Sequence, residues 1–434
     1  MNFQKFKEQL SDGAFDEVLK ALYGSCEQTI SRQRQRYSEA VDRFRECYPD
    51  CEEISVFSAP GRTEIGGNHT DHQHGCVLAA AVNLDIIAVV SFNNMGVIRL
   101  QSEGHSPNNV NLSDLSVQEN EKGNSSALIR GIVSKFYEMG IEVRGFDAYT
   151  TSDVLSGSGL SSSAAFEVLI GTIIDRHYNN GKAGAVEIAK IGQYAENEYF
   201  GKKSGLMDQM VSSVGGLVSI DFHNTKNPEI KSFPFDFESA GYCLCVTDTK
   251  GSHADLTDDY VAIRTEMEEV AAQFGKVFLR DVNEEDFYAA IPQLREKCSD
   301  RAVLRATHFF AENKRAVQEA NALSDGNMDY FLELVKQSGE SSANLLQNLY
   351  SCSQPTEQAI TIGIMLSKRI LGEKGAVRVH GGGFAGTIQA FVPTDKVDEY
   401  VSEMNRIFGD GSCYVLKIRP VGGIEITEER YEKL

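Results

Sequence analysis

The amino-acid sequence predicts an α+β fold. Strand-like and helix-like segments are interspersed along all 434 residues without the strict strand–helix alternation that builds a parallel sheet. One apolar run, VLAAAVNLDIIAVVSF at 77–92, is long enough to bend across a sheet. The chain also closes on a compact series: strand 376–380, a glycine turn, strand 387–392, helix 395–408 and strand 413–419.

The elements follow in order. Up to about residue 47, apolar residues at helical spacing (Phe15, Val18, Leu19 and Leu22, then Ile30, Tyr37, Val41 and Phe44) predict two helices, the second closed by Pro49. Strands are expected at 54–58, 77–92 and 96–100, and the Asn- and Ser-rich interval 101–124 reads as loop. A helix over 126–139 precedes a strand near 143–151, a Gly/Ser loop, and helices at about 161–178 and 184–200. Strand LVSIDFH (217–223) runs into the polar stretch HNTKNPE (223–229), the natural boundary between two halves. Strand 243–249, helix 256–274, a helical block over 299–349 and helix 356–371 then lead to the closing series. No internal repeat or low-complexity tract interrupts this order. Three units result: a helical extension at 1–50, a first lobe at 51–223 and a second at 224–434.

Composition narrows the function. Hydrophobic residues make up 41% and charged residues 24%, enough for a packed core. The formal net charge of −20 repels nucleic acid and anionic membranes, so neither is an expected partner, and an anionic substrate must be met by local donors or a metal ion. The nine cysteines are scattered without a CxxC pair, which argues against a disulfide framework or a zinc ribbon and for a reducing cytoplasm. No segment has the length of a membrane span.

Four segments carry chemistry. SGSGLSSSAAFEV, Ser156 to Val168, places two glycines and a run of serines directly before a helical pattern. Backbone N–H groups, hydroxyls and a helix N-terminus around one point suit a bound polyphosphate, and a hydroxyl such as that of Ser163 can ligate Mg²⁺. It is neither a Walker A loop nor a GxSxG elbow. GRTEIGGNHTDHQHG, Gly61 to Gly75, gathers Arg62, His69 and Asp71 in a glycine-rich turn suited to sugar hydroxyls. Its His69, Asp71, His72 and His74 are also potential metal ligands, but HTDHQH has no His pair at i, i+4 and no second ligand cluster completes a zinc site. AENEYFGKKSGLMDQM, Ala195 to Met210, puts Glu196 on a helix and Asp208 at the start of another. In isolation Asp208 reads as an N-terminal helix carboxylate, and beside a phosphate loop as a base for a hydroxyl. HGGGFAG, His380 to Gly386, lies between two strand-like runs, where it reads as a tight turn that lets backbone approach a ligand or as a structural hairpin.

These four segments, in this order, resemble the GHMP small-molecule kinase family, and within it the galactokinases. GRTEIGGNHTDH is similar to the galactokinase signature, SGSGLSSSAAFEV to the nucleotide loop, AEN–GLMDQ to the run bearing the catalytic aspartate, and VHGGGFAG to the third motif. The resemblance spans about 54 to 420 and implies two lobes with the site between them: a first resembling domain 2 of ribosomal protein S5 and a second that is ferredoxin-like. It implies ATP-dependent phosphorylation of the anomeric hydroxyl of galactose, as in Leloir galactose catabolism, with ATP, Mg²⁺ and a small sugar as the partners. No protein partner is implied. Carried over by position, Asp208 takes the proton and Arg62 keeps that carboxylate ionised. Gly157, Ser158, Gly159, Leu160, Ser161, Ser162 and Ser163 wrap the phosphates, and Ser163 and Glu196 hold the metal. Asn68, His69, Thr70, Asp71 and Tyr260 bind the sugar. The chain departs from the family at Asn68, where a Glu that helps bind the C6 hydroxyl is usual, at Glu64, where Asn is usual, and at His72, which replaces Tyr. Altered C6 recognition follows, and a related sugar such as N-acetylgalactosamine, arabinose or a uronic acid is the near alternative. A non-catalytic sugar sensor is the remote one.

Overall fold

The computed structural model describes residues 1–154, 159–251 and 256–428. Three helices open the chain, α1 (Phe3–Ser11), α2 (Asp16–Tyr23) and α3 (Glu27–Cys47), one more than expected. The sequence pattern passes over α1 because it buries only Phe6 and Leu10, and its start is marked by Asn2, whose side chain caps the Lys5 N–H. There follow β1 (Ser55–Gly66), β2 (Cys76–Phe92), β3 (Val97–Ser102), β4 (Asn108–Asn111), α4 (Ser125–Glu138) and β5 (Gly145–Ser152). The chain continues through α5 (Ser162–Asn179), α6 (Gly184–Tyr194), α7 (Met207–Val214), β6 (Leu217–Asp221) and β7 (Glu229–Phe233).

These strands form one eight-stranded sheet with a later strand, β12 (Ile424–Glu425), at its edge, in the order β12-β1-β2-β5-β3-β4. The long strand β2 serves two partners besides β1: Cys76–Ala80 pairs with β6, and Ile86–Phe92 pairs with β5. Its apolar residues lie on both faces because both faces are covered, and the run is interrupted at Asn83, Asp85 and Ser91. Leu78, Ala80, Val82, Ile86, Ala88 and Val90 point into the main core, while Ile87 and Val89 face the opening helices and Val77, Ala79 and Ala81 face α7. Along β1 the register shifts between Pro60 and Arg62 and again between Glu64 and Gly66. Such irregularities bend a strand and re-aim its side chains, and here they bracket Arg62. Hairpin β6–β7 extends the first sheet to Phe233, so residue 223 lies within that hairpin.

The second half holds β8 (Tyr242–Asp248), then helices α8 (Thr257–Ala272), α9 (Glu284–Lys297), α10 (Asp300–Ser324), α11 (Met328–Ser341) and α12 (Ala359–Leu371). It closes with β9 (Ala376–His380), β10 (Thr387–Pro393), α13 (Val397–Phe408) and β11 (Cys413–Leu416). Its four strands form an antiparallel sheet in the order β11-β8-β10-β9. One face, with Val377, Val379, Ile388 and Ala390, packs on Ile360, Tyr400 and Met404 of α12 and α13. The other face, with Val246 and Phe391, joins α11 and the core of the first sheet. One continuous core therefore ties the two halves, and the functional segments meet where they adjoin.

A buried charge hub pins the opening helices to this frame. Asp85 of β2 accepts from Arg36 (2.6 Å) on α3, Tyr23 (2.6 Å) on α2 and Arg419 (3.0 Å) near the C-terminal end. Burial raises the Asp85 carboxyl, yet the two guanidiniums and the hydroxyls of Ser58 and Tyr23 outweigh it and hold the group below the usual carboxylate range.

Candidate active site

The expected phosphate cradle lies at the start of α5. Ser161 adopts a left-handed conformation (φ 58°) immediately before the helix, and Ser162 and Ser163 form its half-buried first turn. That turn presents unpaired backbone N–H groups, the arrangement that favours an anion. Gly157 and Ser158 lie outside the described residues. The neighbouring backbone is tied to β1: the Arg62 N–H donates to the Leu160 carbonyl (3.0 Å), and the Arg62 guanidinium to the Gly159 carbonyl.

Asp208 enters from the first turn of α7. Arg62 Nε donates to its Oδ1 at 2.7 Å and Ser161 Oγ to its Oδ2 at 2.6 Å. Burial raises the Asp208 carboxyl, but Arg62, then Ser161 and Lys202, pull it below the ordinary carboxylate range. The sequence motifs name Arg62, Ser161 and Asp208 separately, and the structure joins them in one contact.

Glu196 sits on a π-helical turn, Ala195–Phe200, that ends α6, and its carbonyl accepts both the Gly201 and Lys202 N–H groups at 3.1 Å. Its carboxylate is buried. Oε1 accepts from Lys202 Nζ (3.0 Å), and Oε2 from Ser204 Oγ and from Gln209 Nε2 (2.9 Å). The same Gln209 nitrogen donates to Glu167 Oε2 at 2.9 Å. Burial, reinforced by the Glu196 charge, raises the Glu167 carboxyl well above its usual range, and its Oε1 has no partner. The oxygen donors of Ser163 and Glu196 suit a hard divalent cation.

The segment expected to bind the sugar is closed by the glycine hairpin between β9 and β10. Its carbonyls receive the signature residues: Gly381 accepts from Asn68 Nδ2 (2.8 Å), Gly382 from His69 Nε2 (2.9 Å) and Gly383 from the Tyr260 hydroxyl (2.9 Å). Burial, then the nearby His72, lowers His69 to about 4, so the ring is neutral. Because a carbonyl only accepts, its proton is on Nε2 and Nδ1 remains an acceptor. Asp71 opens a single 3₁₀ turn, with Oδ1 held by the His72 N–H at 2.9 Å. Gly205 lies over its other oxygen, where a Cβ would stand 2.6 Å from Asp71 Oδ2. Thr70 is fully buried and donates to the Gly67 (2.9 Å) and Cys76 (2.6 Å) carbonyls, closing the turn. His69 and His72 stand with ring centroids 5.8 Å apart, whereas His74 stacks on Phe278 with centroids 3.7 Å apart. Among the described residues no group of His, Cys, Asp and Glu is arranged to hold a metal ion.

Asn68 has every hydrogen-bonding position of its amide engaged by the protein. Nδ2 donates to Glu64 Oε1 (3.0 Å) and the Gly381 carbonyl, and Oδ1 accepts from Asn348 Nδ2 (3.0 Å) and Ser342 Oγ (3.4 Å). Glu64 in turn pairs with the buried Arg378 at 2.9 Å. Two of the three signature departures thus form one unit, with a carboxylate at 64 and an amide at 68 facing each other. Behind them Glu312 accepts from the Gly67 and Asn68 N–H groups, both at 3.3 Å, and His308 Nε2 donates to the Asn68 carbonyl at 3.0 Å. Burial raises the Glu312 carboxyl, but His308, Arg315 and Arg378 bring it down to about 2. Sequence reading misses Glu312, His308, Asn348 and Arg378. They sit in ordinary helical, loop or strand patterns, and their polarity shows a role only once the fold buries them.

With that geometry in hand, two family models match: the galactokinase galactose-binding signature over residues 42–92 and the GHMP kinases N terminal domain over 127–216. A galactokinase of Streptomyces coelicolor is 31% identical over 367 residues, 85% of this chain and 92% of that protein. The chain belongs to the galactokinase family. A second galactokinase, from Actinobacillus pleuropneumoniae, is 32% identical over 374 residues, 86% of this chain and 92% of its own length. The fold agrees: the crystal structure of Lactococcus lactis galactokinase complexed with galactose superposes with a TM-score of 0.77 at 23% identity, covering 90% of this chain and 99% of that one. Methanococcus jannaschii mevalonate kinase shares the fold more distantly, with a TM-score of 0.60, 15% identity, and 84% and 98% coverage. In galactokinase-family terms, both model-matched segments border the site: Arg62 to Asp71 fall in the first, and Gly159 to Ser163, Glu196 and Asp208 in the second.

Proposed function

We propose that this galactokinase-family enzyme transfers the γ-phosphoryl group of ATP to the anomeric hydroxyl of galactose, with Asp208 as the base. The observation that carries the residue assignment is the junction of Arg62, Ser161 and Asp208 at the mouth of α5, which sets a carboxylate beside an anion-binding helix end. The anomeric oxygen forms a bond to phosphorus as the bond to the ADP oxygen breaks, and its proton passes to Asp208. A carboxylate of depressed pKa is a modest base, but loose phosphoryl transfer asks mainly for positioning and charge neutralisation. Arg62 supplies the second by sharing its charge between Asp208 and the reacting group.

Ser163 and Glu196 would hold Mg²⁺, which neutralises phosphate charge when bound. Residues 159–163 would wrap the phosphates. Asp71, His69 through Nδ1, and Tyr260 face the sugar, whereas Asn68 and Thr70 shape the turn rather than reach the ligand. We assign two lobes after an extension at 1–50, with the boundary expected at 223 moved past hairpin β6–β7, which belongs to the first lobe's sheet, and a cytoplasmic setting in keeping with nine free cysteines. No helix among the described residues is long and apolar enough to cross a membrane.

The deciding experiment is ADP release over a sugar panel that includes galactose, N-acetylgalactosamine, arabinose and a uronic acid, for wild type and Asp208→Asn. Turnover on galactose, reduced about 10²- to 10⁴-fold in the variant, is expected. Turnover confined to another sugar would overturn the substrate. An undiminished variant would overturn the base, and no turnover on any sugar would point to a sensor.

A further inference from the structure

Lys202 holds a charge inside the site that the proposed chemistry leaves unused. It follows the π-turn bearing Glu196, its N–H donates to the Glu196 carbonyl (3.1 Å), and its ammonium folds back to Glu196 Oε1 at 3.0 Å. Oε2 of the same carboxylate is already taken by Ser204 and Gln209, so Lys202 covers the oxygen that remains. The Glu196 side chain is 3% exposed and that of Lys202 is 62% exposed, so the ammonium caps a buried carboxylate from the solvent side.

We propose that Lys202 is a displaceable counter-ion and a further catalytic residue: it occupies the cation position on Glu196 in the empty site and shifts onto the transferring phosphoryl group when metal–nucleotide binds. This rests on the reading that Glu196 is a metal ligand. Ser204 and Gln209 give the buried Glu196 carboxylate hydrogen bonds but no opposite charge, so without a bound metal ion it needs a cation. An ammonium is a compact point charge on a flexible stem, and its ion pair at an exposed position is weak, so it can stand in for a metal ion and then leave. Gln209, which binds Glu196, is the residue after Asp208 on α7, and the Lys202 charge acts on the Asp208 carboxyl, so the cation position lies near the base. In the proposed step the phosphoryl group passes between them and meets Nζ. A positive charge there neutralises the moving group.

The test measures Mn²⁺ binding to the full-length protein with saturating ADP, read by loss of the free Mn²⁺ resonance, alongside steady-state kinetics. Lys202→Met is expected to bind Mn²⁺ about three- to fivefold more tightly, as removal of a weak competing ion pair would do. Its kcat is expected to fall about tenfold or more, with the sugar KM little changed. Lys202→Arg should keep Mn²⁺ affinity near wild type. In a Glu196→Gln background, Lys202→Met should give no tightening. Unchanged or weaker Mn²⁺ binding by Lys202→Met, or an unchanged kcat, overturns the proposal. If Glu196→Gln alone retains full Mn²⁺ affinity, the metal assignment falls as well, and that variant shows it before Lys202 is altered.

Discussion

In the proposed reaction Asp208 accepts a proton while a guanidinium stands 2.7 Å away, and that contact should govern the acid limb of the pH profile. Burial alone would raise the carboxyl, and Arg62, the largest opposing influence, brings it below the ordinary range. Wild type should therefore keep its base ionised down to unusually low pH. In Arg62→Met the burial remains and the opposing charge is gone, so the acid limb of kcat/KM should move to higher pH, in addition to a fall in its plateau. A pH–rate profile with an unmoved acid limb would remove Arg62 from this role. At this scale the sequence was highly legible for Arg62, Asp208 and Glu196, whose residue types and order carry the family resemblance. It was silent on their joining. The Ser161 bond to Asp208 depends on a left-handed residue at the mouth of a helix, and the closed amide of Asn68 depends on Asn348, 280 residues away.

At the scale of elements, α10 supplies two glutamates with opposite electrostatic fates. Glu312 meets His308, Arg315 and Arg378 and is held ionised. Glu319, two turns further on and packed against Gly66, has no partner at either carboxylate oxygen, and burial followed by the Glu312 charge raises it well above the usual range. The folded protein therefore keeps a proton on Glu319 that the unfolded chain releases above about pH 4.3. The sign follows from linkage: stability drawn from this group falls as pH rises from that value towards the folded one. Glu319→Gln does not titrate, so its melting temperature should gain on wild type between pH 5 and pH 8. A constant difference across that range would mean that Glu319 is ionised in the fold. Helix α10 was visible in the sequence as part of the block 299–349, but not which face would be sealed. The π-turn of Glu196 was read as plain helix because one extra residue in a turn leaves the composition helical.

At the scale of the whole molecule, the opening helices are part of the frame. Their core, with Phe15, Leu19, Tyr37 and Phe44, shares Val56, Ile87, Val89 and Tyr149 with the first sheet, and Asp85 locks α2 and α3 to β2 and to Arg419. Asp85→Ala leaves Arg36 and Arg419 buried with their shared carboxylate gone, and should cost about 3–5 kcal/mol in denaturant unfolding. The depressed Asp85 carboxyl adds stability at neutral pH that is lost as pH falls below about 4, so the wild-type advantage should shrink there. An Asp85→Ala protein as stable as wild type would mean the hub carries nothing. The helices were legible from their spacing, but the hub was not, because its members come from distant segments, α2, α3, β2 and the stretch at Arg419. The sheet likewise reaches far along the chain, with the edge of β1 completed by Ile424 and Glu425. During synthesis this has a consequence for timing. The lobe that bears Arg62 and Asp208 leaves the ribosome first, yet its sheet and the buried Asp85 stay unfinished until residues near 425 emerge. The first half must wait for the last, so the nascent chain should acquire its protease-resistant state late and in one step rather than lobe by lobe.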